Sequence, residues 1–226
     1  MDSQQRGPLS APEIRPETGI RTWMRELASP QRAAVVALVF AGAAFLTFLA
    51  TPRGDLAVVS TARLVVGMTM FGLAGLAVAL VILQPLHRRP LSGVVAWGIA
   101  LSALALPLVF ALLPEAHHER LLHPESFADE GAAFWTRAAT CLVFGTLIAL
   151  PIIASIVLLD RRDRLGSNRA LQVAFAGGAA GNLALLLHCP LVSTTHLVLG
   201  HATVPVVLGA ALFVLARRRS RSSSDL

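Results

Sequence analysis

Long apolar runs that charge does not interrupt are the strongest constraint on this chain. Runs near 20 residues match the thickness of a bilayer's hydrocarbon core. A soluble core of similar size shows shorter runs broken by charge. Six such runs follow one another, at roughly Ala33–Ala50, Leu64–Leu83, Leu91–Leu113, Ala138–Leu159, Leu171–Leu187 and Thr194–Ala216. With 55% hydrophobic and 14% charged residues, the expectation is an all-α polytopic membrane protein, a bundle of six transmembrane helices in the lipid bilayer. Residues 1–32 form a short cytoplasmic tail, 33–216 the membrane domain and 217–226 a second tail.

Arginine placement orients the bundle. The N-terminal tail, the second-to-third loop, the fourth-to-fifth loop and the C-terminal tail hold most of the arginines. Only Arg53, Arg63, Arg120 and Arg137 of the 19 basic residues fall on the other side. Cytoplasmic loops carry the positive excess, so both termini are expected in the cytoplasm. No signal peptide is expected, because residues 1–32 lack a short apolar core with a small-residue cleavage site.

The basic residues are all arginine, and the missing lysine excludes a retinal or pyridoxal Schiff base and a Walker A loop. No acidic residue lies within a span, which argues against a proton-coupled transporter or ion pump and counts against a solute or metal exporter. No nucleophile elbow or nucleotide loop occurs and no carboxylate pair lies at depth, so no enzyme and no bound cofactor is expected. Direct nucleic-acid binding is not expected either.

Prolines 8, 12 and 16 mark Met1–Thr18 as a disordered tail. Ile20, Trp23, Met24 and Leu27 follow at helical spacing, interleaved with Arg21 and Arg25. Such a helix lies on headgroups or docks on a cytoplasmic partner. Within the spans, Gly177 and Gly181 form a GxxxG spacing, and Gly72 and Gly75 lie in the second span. Pro107, Pro151 and Pro205 sit inside spans, and Asn182 is the main carboxamide at depth.

The outer side concentrates the remaining chemistry. The third-to-fourth loop holds His117, His118 and His123. The fifth-to-sixth link holds His188 and Cys189, with His196 and His201 just beyond, and Cys141 lies near the outer end of the fourth span. Three readings stay open. The histidines are polar caps and the cysteines small buried hydrophobes; or Cys141 and Cys189 are a thiol pair that oxidises or takes a soft metal; or histidines and a cysteine ligate a metal or haem. Spacing favours none of them. His117 and His118 are adjacent and point differently. His196 and His201 are five apart, about 140° around an α-helix, and share no face.

The run Gly181-Asn-Leu-Ala-Leu-Leu-Leu-His188-Cys189-Pro190 precedes a last span closed by Arg217, Arg218 and Arg219. With the six-span plan, the cytoplasmic tail and Cys141, it resembles the NrsF-type membrane anti-sigma factors, most of all the branch that regulates carotenogenesis. The resemblance implies a bacterial inner-membrane protein that holds an extracytoplasmic-function sigma factor away from RNA polymerase. Light, oxidative or metal stress releases the partner, de-repressing genes such as those of carotenoid synthesis. It makes Cys141 and Cys189 the regulatory thiols. The tail lacks a His-x-x-x-Cys-x-x-Cys zinc motif, so docking falls to the Ile20–Leu27 face and the basic loops. The competing expectation, of a different class, is a small membrane redox, haem or metal protein using His188, His196 and His201.

Overall fold

The computed structural model describes residues 19–54, 59–84, 92–111, 132–161, 166–190 and 193–222. The described residues are helical, with no strand among them. The elements are α1 (Ile20–Glu26), α2 (Ser29–Ala50), α3 (Thr61–Ile82), α4 (Gly93–Ala111), α5 (Ala132–Leu159) and α6 (Ser167–His188). A last helix, α7, runs in three joined segments: Thr194–His196, a π-helical stretch Leu197–Ala202, and Thr203–Ser222. Among the described residues, five helices, α2, α3, α5, α6 and α7, are long and apolar enough to cross a membrane.

Local chemistry sets the helix starts. Pro30 stands in the first turn of α2, where its missing N–H costs nothing, and Gln31 Oε1 accepts from the Ala28 amide at 2.8 Å. Ser60 and Ser193 cap α3 and α7 by accepting from the amides of Arg63 and His196. Several helices extend beyond the apolar runs. The last continues through Arg217, Arg218 and Arg219 to Ser222, and α5 begins six residues ahead of Ala138. Hydropathy marks where apolar side chains stop, whereas the backbone keeps its hydrogen bonds for another turn.

α6 is the hub. It packs against α2, α3, α4, α5 and α7, and every residue from Val173 to Leu187 is buried. The outer helices turn large apolar side chains outward instead: Leu38 is 71% and Phe45 61% exposed. Such a surface needs hydrocarbon rather than water around it.

Small residues set the helix spacing. A Cβ on Gly178 would lie 2.8 Å from Pro205 Cα in α7, one on Gly145 2.8 Å from Leu185 Cδ1, and one on Gly181 would strike the Gly145 carbonyl in α5. The GxxxG pair thus brings two backbones together, as the spacing predicts. In contrast, a Cβ on Gly72 would meet nothing within 4 Å.

At the arginine-rich end, guanidinium groups cap the last carbonyls of neighbouring helices. Arg32, 1% exposed, donates to Leu159 O at 3.4 Å. Arg161 donates to Arg25 O (2.7 Å) and Leu27 O (3.1 Å). Arg169 pairs with both Asp160 oxygens (2.6 and 2.9 Å) and donates to Ile82 O. Cations at helix C-termini meet both the orphan carbonyls and the negative end of the dipole.

The α5–α6 backbone contact generates a prediction. Gly181→Ala overpacks it and lowers stability by about 1–3 kcal/mol, read as thermal unfolding in detergent. Gly72→Ala leaves the transition within error of the parent. Equal melting of the two variants would contradict the packing described here.

Candidate metal and thiol centre

α6 stops at Cys189, where Pro190 cannot continue the ladder. This leaves the Cys189 side chain in the link between α6 and α7, facing α5. Cys141 stands on α5 at the same level. The two sulfurs are not joined to each other, and Cys141 Sγ donates to Cys189 Sγ at 3.5 Å.

The π-helical stretch brings the histidines to them. A π turn closes its hydrogen bonds over five residues, so positions five apart lie nearly one above the other. His196 and His201 therefore share a face, against the expectation from α-helical spacing. Their rings sit 5.5 Å apart, edge to face. Pro205 gives a local cause. It carries no N–H for the carbonyl four residues back, that of His201, and its ring crowds that position. Gly200 lets the widened turn lie on α5, where its Cβ would reach Ala138 O and Cys141 Cβ at 3.3 Å.

The result is a tetrad of Cys141, Cys189, His196 and His201, all buried, with one donor atom of each within 4.8 Å of the others. His196 Nε2 lies 3.3 Å from Cys189 Sγ. For a tetrahedral ion with Zn–S near 2.3 Å and Zn–N near 2.0 Å, donors sit about 3.3–3.8 Å apart. The sulfur pair at 3.5 Å and the Cys189–His196 pair at 3.3 Å lie a few tenths of an ångström inside the values for those pairs, and the whole set stays within 4.8 Å. Two sulfurs and two imidazoles suit zinc or another thiophilic cation. His196 Nδ1 and His201 Nε2 have no hydrogen-bond partner among the described residues, so one imidazole nitrogen of each remains to be satisfied. The Cys189 thiol, outside the span formed by α6, is held well below the ordinary cysteine range. Its hydrogen bond with Cys141 is the largest cause; burial opposes it, and hydrogen bonds from His196 and His201 and the charge of His201 add to it.

The other sequence-derived residues divide. His188 is not in the tetrad: its Nδ1 lies 3.2 Å from Thr51 O, and its ring stacks on Phe144 at 4.5 Å. His117, His118 and His123 lie outside the described residues, as does Met1–Thr18. On α1, Met24 and Leu27 pack against the core, while Ile20 and Trp23 are 72% and 59% exposed. The apolar face is thus split between the bundle and its surroundings. Arg25 is partly buried beside them, and the Arg21 side chain lies outside the described residues.

Two neighbours escape a motif search. Arg53, 4% exposed, crosses the end of α6: its amide donates to Leu187 O at 3.1 Å and its guanidinium to Leu186 O at 3.5 Å. Asn182, 1% exposed, donates to Gly178 O at 2.9 Å, and its Oδ1 has no partner among the described residues. The signal for Arg53 was present in the sequence: it is one of four arginines against the prevailing side.

The tetrad is expected to bind one cobalt or zinc ion per chain, with the tetrahedral visible spectrum of cobalt as the readout. Cys141→Ser, Cys189→Ser, His196→Ala and His201→Ala each weaken binding at least about tenfold, since even outer-shell changes cost 10–100-fold. His188→Ala does not. Equal effects for His188 and His201 would refute the assignment.

No family model, curated protein or solved structure matches the chain.

Proposed function

We propose that the chain is a membrane sensor of the anti-sigma class. In this reading the Cys141–Cys189–His196–His201 tetrad is the sensing centre, and the cytoplasmic face holds an extracytoplasmic-function sigma factor at the bacterial inner membrane. The observation that carries the sensing half is the convergence of both cysteines and two histidines, from three elements, within 4.8 Å. A purely structural role for these residues would not require their donor atoms to meet.

The reading takes α4 as a sixth span. Its 19 residues, Gly93–Ala111, contain no charge and rise about 28 Å, close to a bilayer core. It packs on α3, α6 and the π-helical stretch. An even count places both termini on the arginine-rich side, in the cytoplasm. Partner contact then falls to exposed Ile20 and Trp23 on α1 and to the basic ends of α5, α6 and α7. The resemblance of the Gly181–Pro190 run to NrsF-type proteins supplies the identity of the partner.

Chemically, the tetrad has two states that differ in length. Reduced, the sulfurs stand 3.5 Å apart and suit a shared cation. Oxidised, a disulfide closes them to about 2.05 Å. The change falls on the junction of α5, α6 and α7, which continue to the arginine-capped end. A tenfold release of the partner needs only about 1.4 kcal/mol of differential affinity. The haem alternative fits less well. Donors this close bridge one ion, and the adjoining cavity holds about 20 Å³, too little for a macrocycle.

The test is recovery of a sigma factor from detergent-solubilised membranes, with the full chain and with residues 1–29 deleted. The expected result is recovery with the full chain and loss on deletion, and Cys141→Ser or Cys189→Ser changes the inducing response without affecting membrane insertion. Failure of the full chain to recover a sigma factor would sink the anti-sigma reading. A Soret band with stoichiometric iron would replace it with the haem alternative.

A further inference from the structure

Beside the tetrad lies a small cavity of about 20 Å³. Arg53, Asn182, Cys189 and His201 supply its polar lining, and the rings of Phe71 and Phe110 belong to its apolar wall. Two of the polar residues bring buried atoms that lack partners among the described residues, Asn182 Oδ1 and His201 Nε2. A cavity holds a water-sized guest when it exceeds about 10–15 Å³ and offers two to four polar partners. This one meets both conditions. Asn182 Oδ1 calls for an O–H donor, Arg53 provides N–H donors, and the imidazole nitrogen serves either way. A guest with both O–H donors and oxygen acceptors satisfies the Asn182 oxygen and the imidazole nitrogen.

The cavity also distinguishes the two cysteines. Cys189 lines it, and Cys141 does not. We propose that the cavity admits hydrogen peroxide, or a hydroperoxide no larger, that Cys189 is the thiol it oxidises, and that Cys141 is the resolving thiol. This rests on the sensor reading and names the chemical stimulus of the same site. In the first step a lone pair of Cys189 sulfur attacks one peroxide oxygen. An S–O bond forms, the O–O bond breaks, and the departing oxygen takes the thiol proton and leaves as water. Cys189 becomes a sulfenic acid, oxidised by two electrons while the peroxide is reduced. In the second step Cys141 Sγ, 3.5 Å away, attacks the Cys189 sulfur. The S–O bond breaks, the hydroxyl takes the Cys141 proton, and a second water leaves. The sum is two thiols and one peroxide giving one disulfide and two waters. A cation shared by the tetrad engages the same sulfur lone pairs, so the reaction belongs to the ion-free protein and bound zinc slows it.

The experiment uses the full chain in lipid nanodiscs, stripped of metal by a chelator. After excess peroxide is removed the protein is denatured in the presence of dimedone, so that the reagent reaches the buried sulfur, and the sulfenic-acid adduct is located by mass spectrometry. Cys141→Ser is expected to accumulate an adduct on Cys189, and Cys189→Ser to leave Cys141 unlabelled at the same peroxide concentration. In the parent chain, tert-butyl hydroperoxide is expected to react at least about tenfold more slowly than hydrogen peroxide, after correction for the ratio seen with a small thiol. A single excess methylene is already worth about 10–200-fold in a closed pocket. Asn182→Leu removes the orphan oxygen and narrows the cavity, and slows oxidation of Cys189 by hydrogen peroxide. Labelling of Cys141 in Cys189→Ser as fast as Cys189 in Cys141→Ser would overturn the assignment of roles. A corrected peroxide ratio near one in the parent chain would overturn the cavity as the route, and this arm needs no variant to fold. Sigma-factor recovery and cobalt binding are measured independently on the same protein, so loss of the peroxide chemistry and loss of the sensor reading are told apart.

Discussion

A helix enclosed on all sides must do without the bulk that usually fills a core. α6 solves this with glycine and alanine, and the geometry of the rest follows from it. Where Gly181 meets the Gly145 carbonyl, α5 approaches α6 at backbone distance. Where Gly178 meets Pro205, α7 does the same. These two approaches fix the separation of the elements that carry Cys141, Cys189 and the histidines. The 3.5 Å between the sulfurs is therefore a property of the glycine contacts below them as much as of the cysteines themselves. Packing in a bilayer gains little from hydrophobicity, since lipid is equally apolar, so close backbone approach carries much of the specificity.

Arginine performs a second structural task that charge counting conceals. The positive-inside bias treats these residues as labels of a side. In the structure they terminate helices. Arg32, Arg161 and Arg169 reach the last carbonyls of α5, α1 and α3, and Arg53 reaches those of α6 from the opposite end. Each guanidinium satisfies acceptors that a membrane helix end would otherwise bury without partners. With no lysine in the chain, every such cap uses the planar fork, which can serve several oxygens at once. Arg169 does so by joining Asp160 and Ile82 O.

Much of the scaffold was legible because apolar length and small-residue spacing are local signals. The long helices contain most of their apolar runs, overshooting them by up to six residues at the start of α5 and the end of α7, and Gly177–Gly181 marks the buried seam. The tetrad was only half legible. Both cysteines and both histidines stood out by type and by level in the membrane, yet their convergence depends on a π turn. A period of 3.6 residues per turn sets His196 and His201 on different faces. Pro205, nine residues past His196, carries the local cause, but a proline inside a span signals a bend more often than a π turn. His188 misled for the opposite reason. It adjoins Cys189 in sequence, but as the last residue of α6 its ring turns to Thr51 and Phe144. Arg53 and Asn182 stand out in the sequence only by side and by depth, and their shared place beside the tetrad shows once the cavity they line is seen.

Burial of the tetrad bears on what such a centre can report. A thiol pair at a wet surface reacts with any oxidant or thiol that diffuses past, and its state follows the bulk poise of the compartment. A pair 5–6% exposed, approached through a cavity of about 20 Å³, meets only small species. Disulfide exchange with protein thiols or glutathione needs an in-line approach of a third sulfur, which this enclosure denies. On the proposed reading the centre is therefore selective by size before it is selective by chemistry, and its oxidised state persists until the bundle opens. The same enclosure ties chemistry to packing. Drawing the sulfurs together by about 1.5 Å cannot be absorbed by side-chain rotation alone in a close-packed interior. The displacement passes to α5 and to the α6–α7 link, and those elements end at the arginine caps, where a cytoplasmic partner would read it.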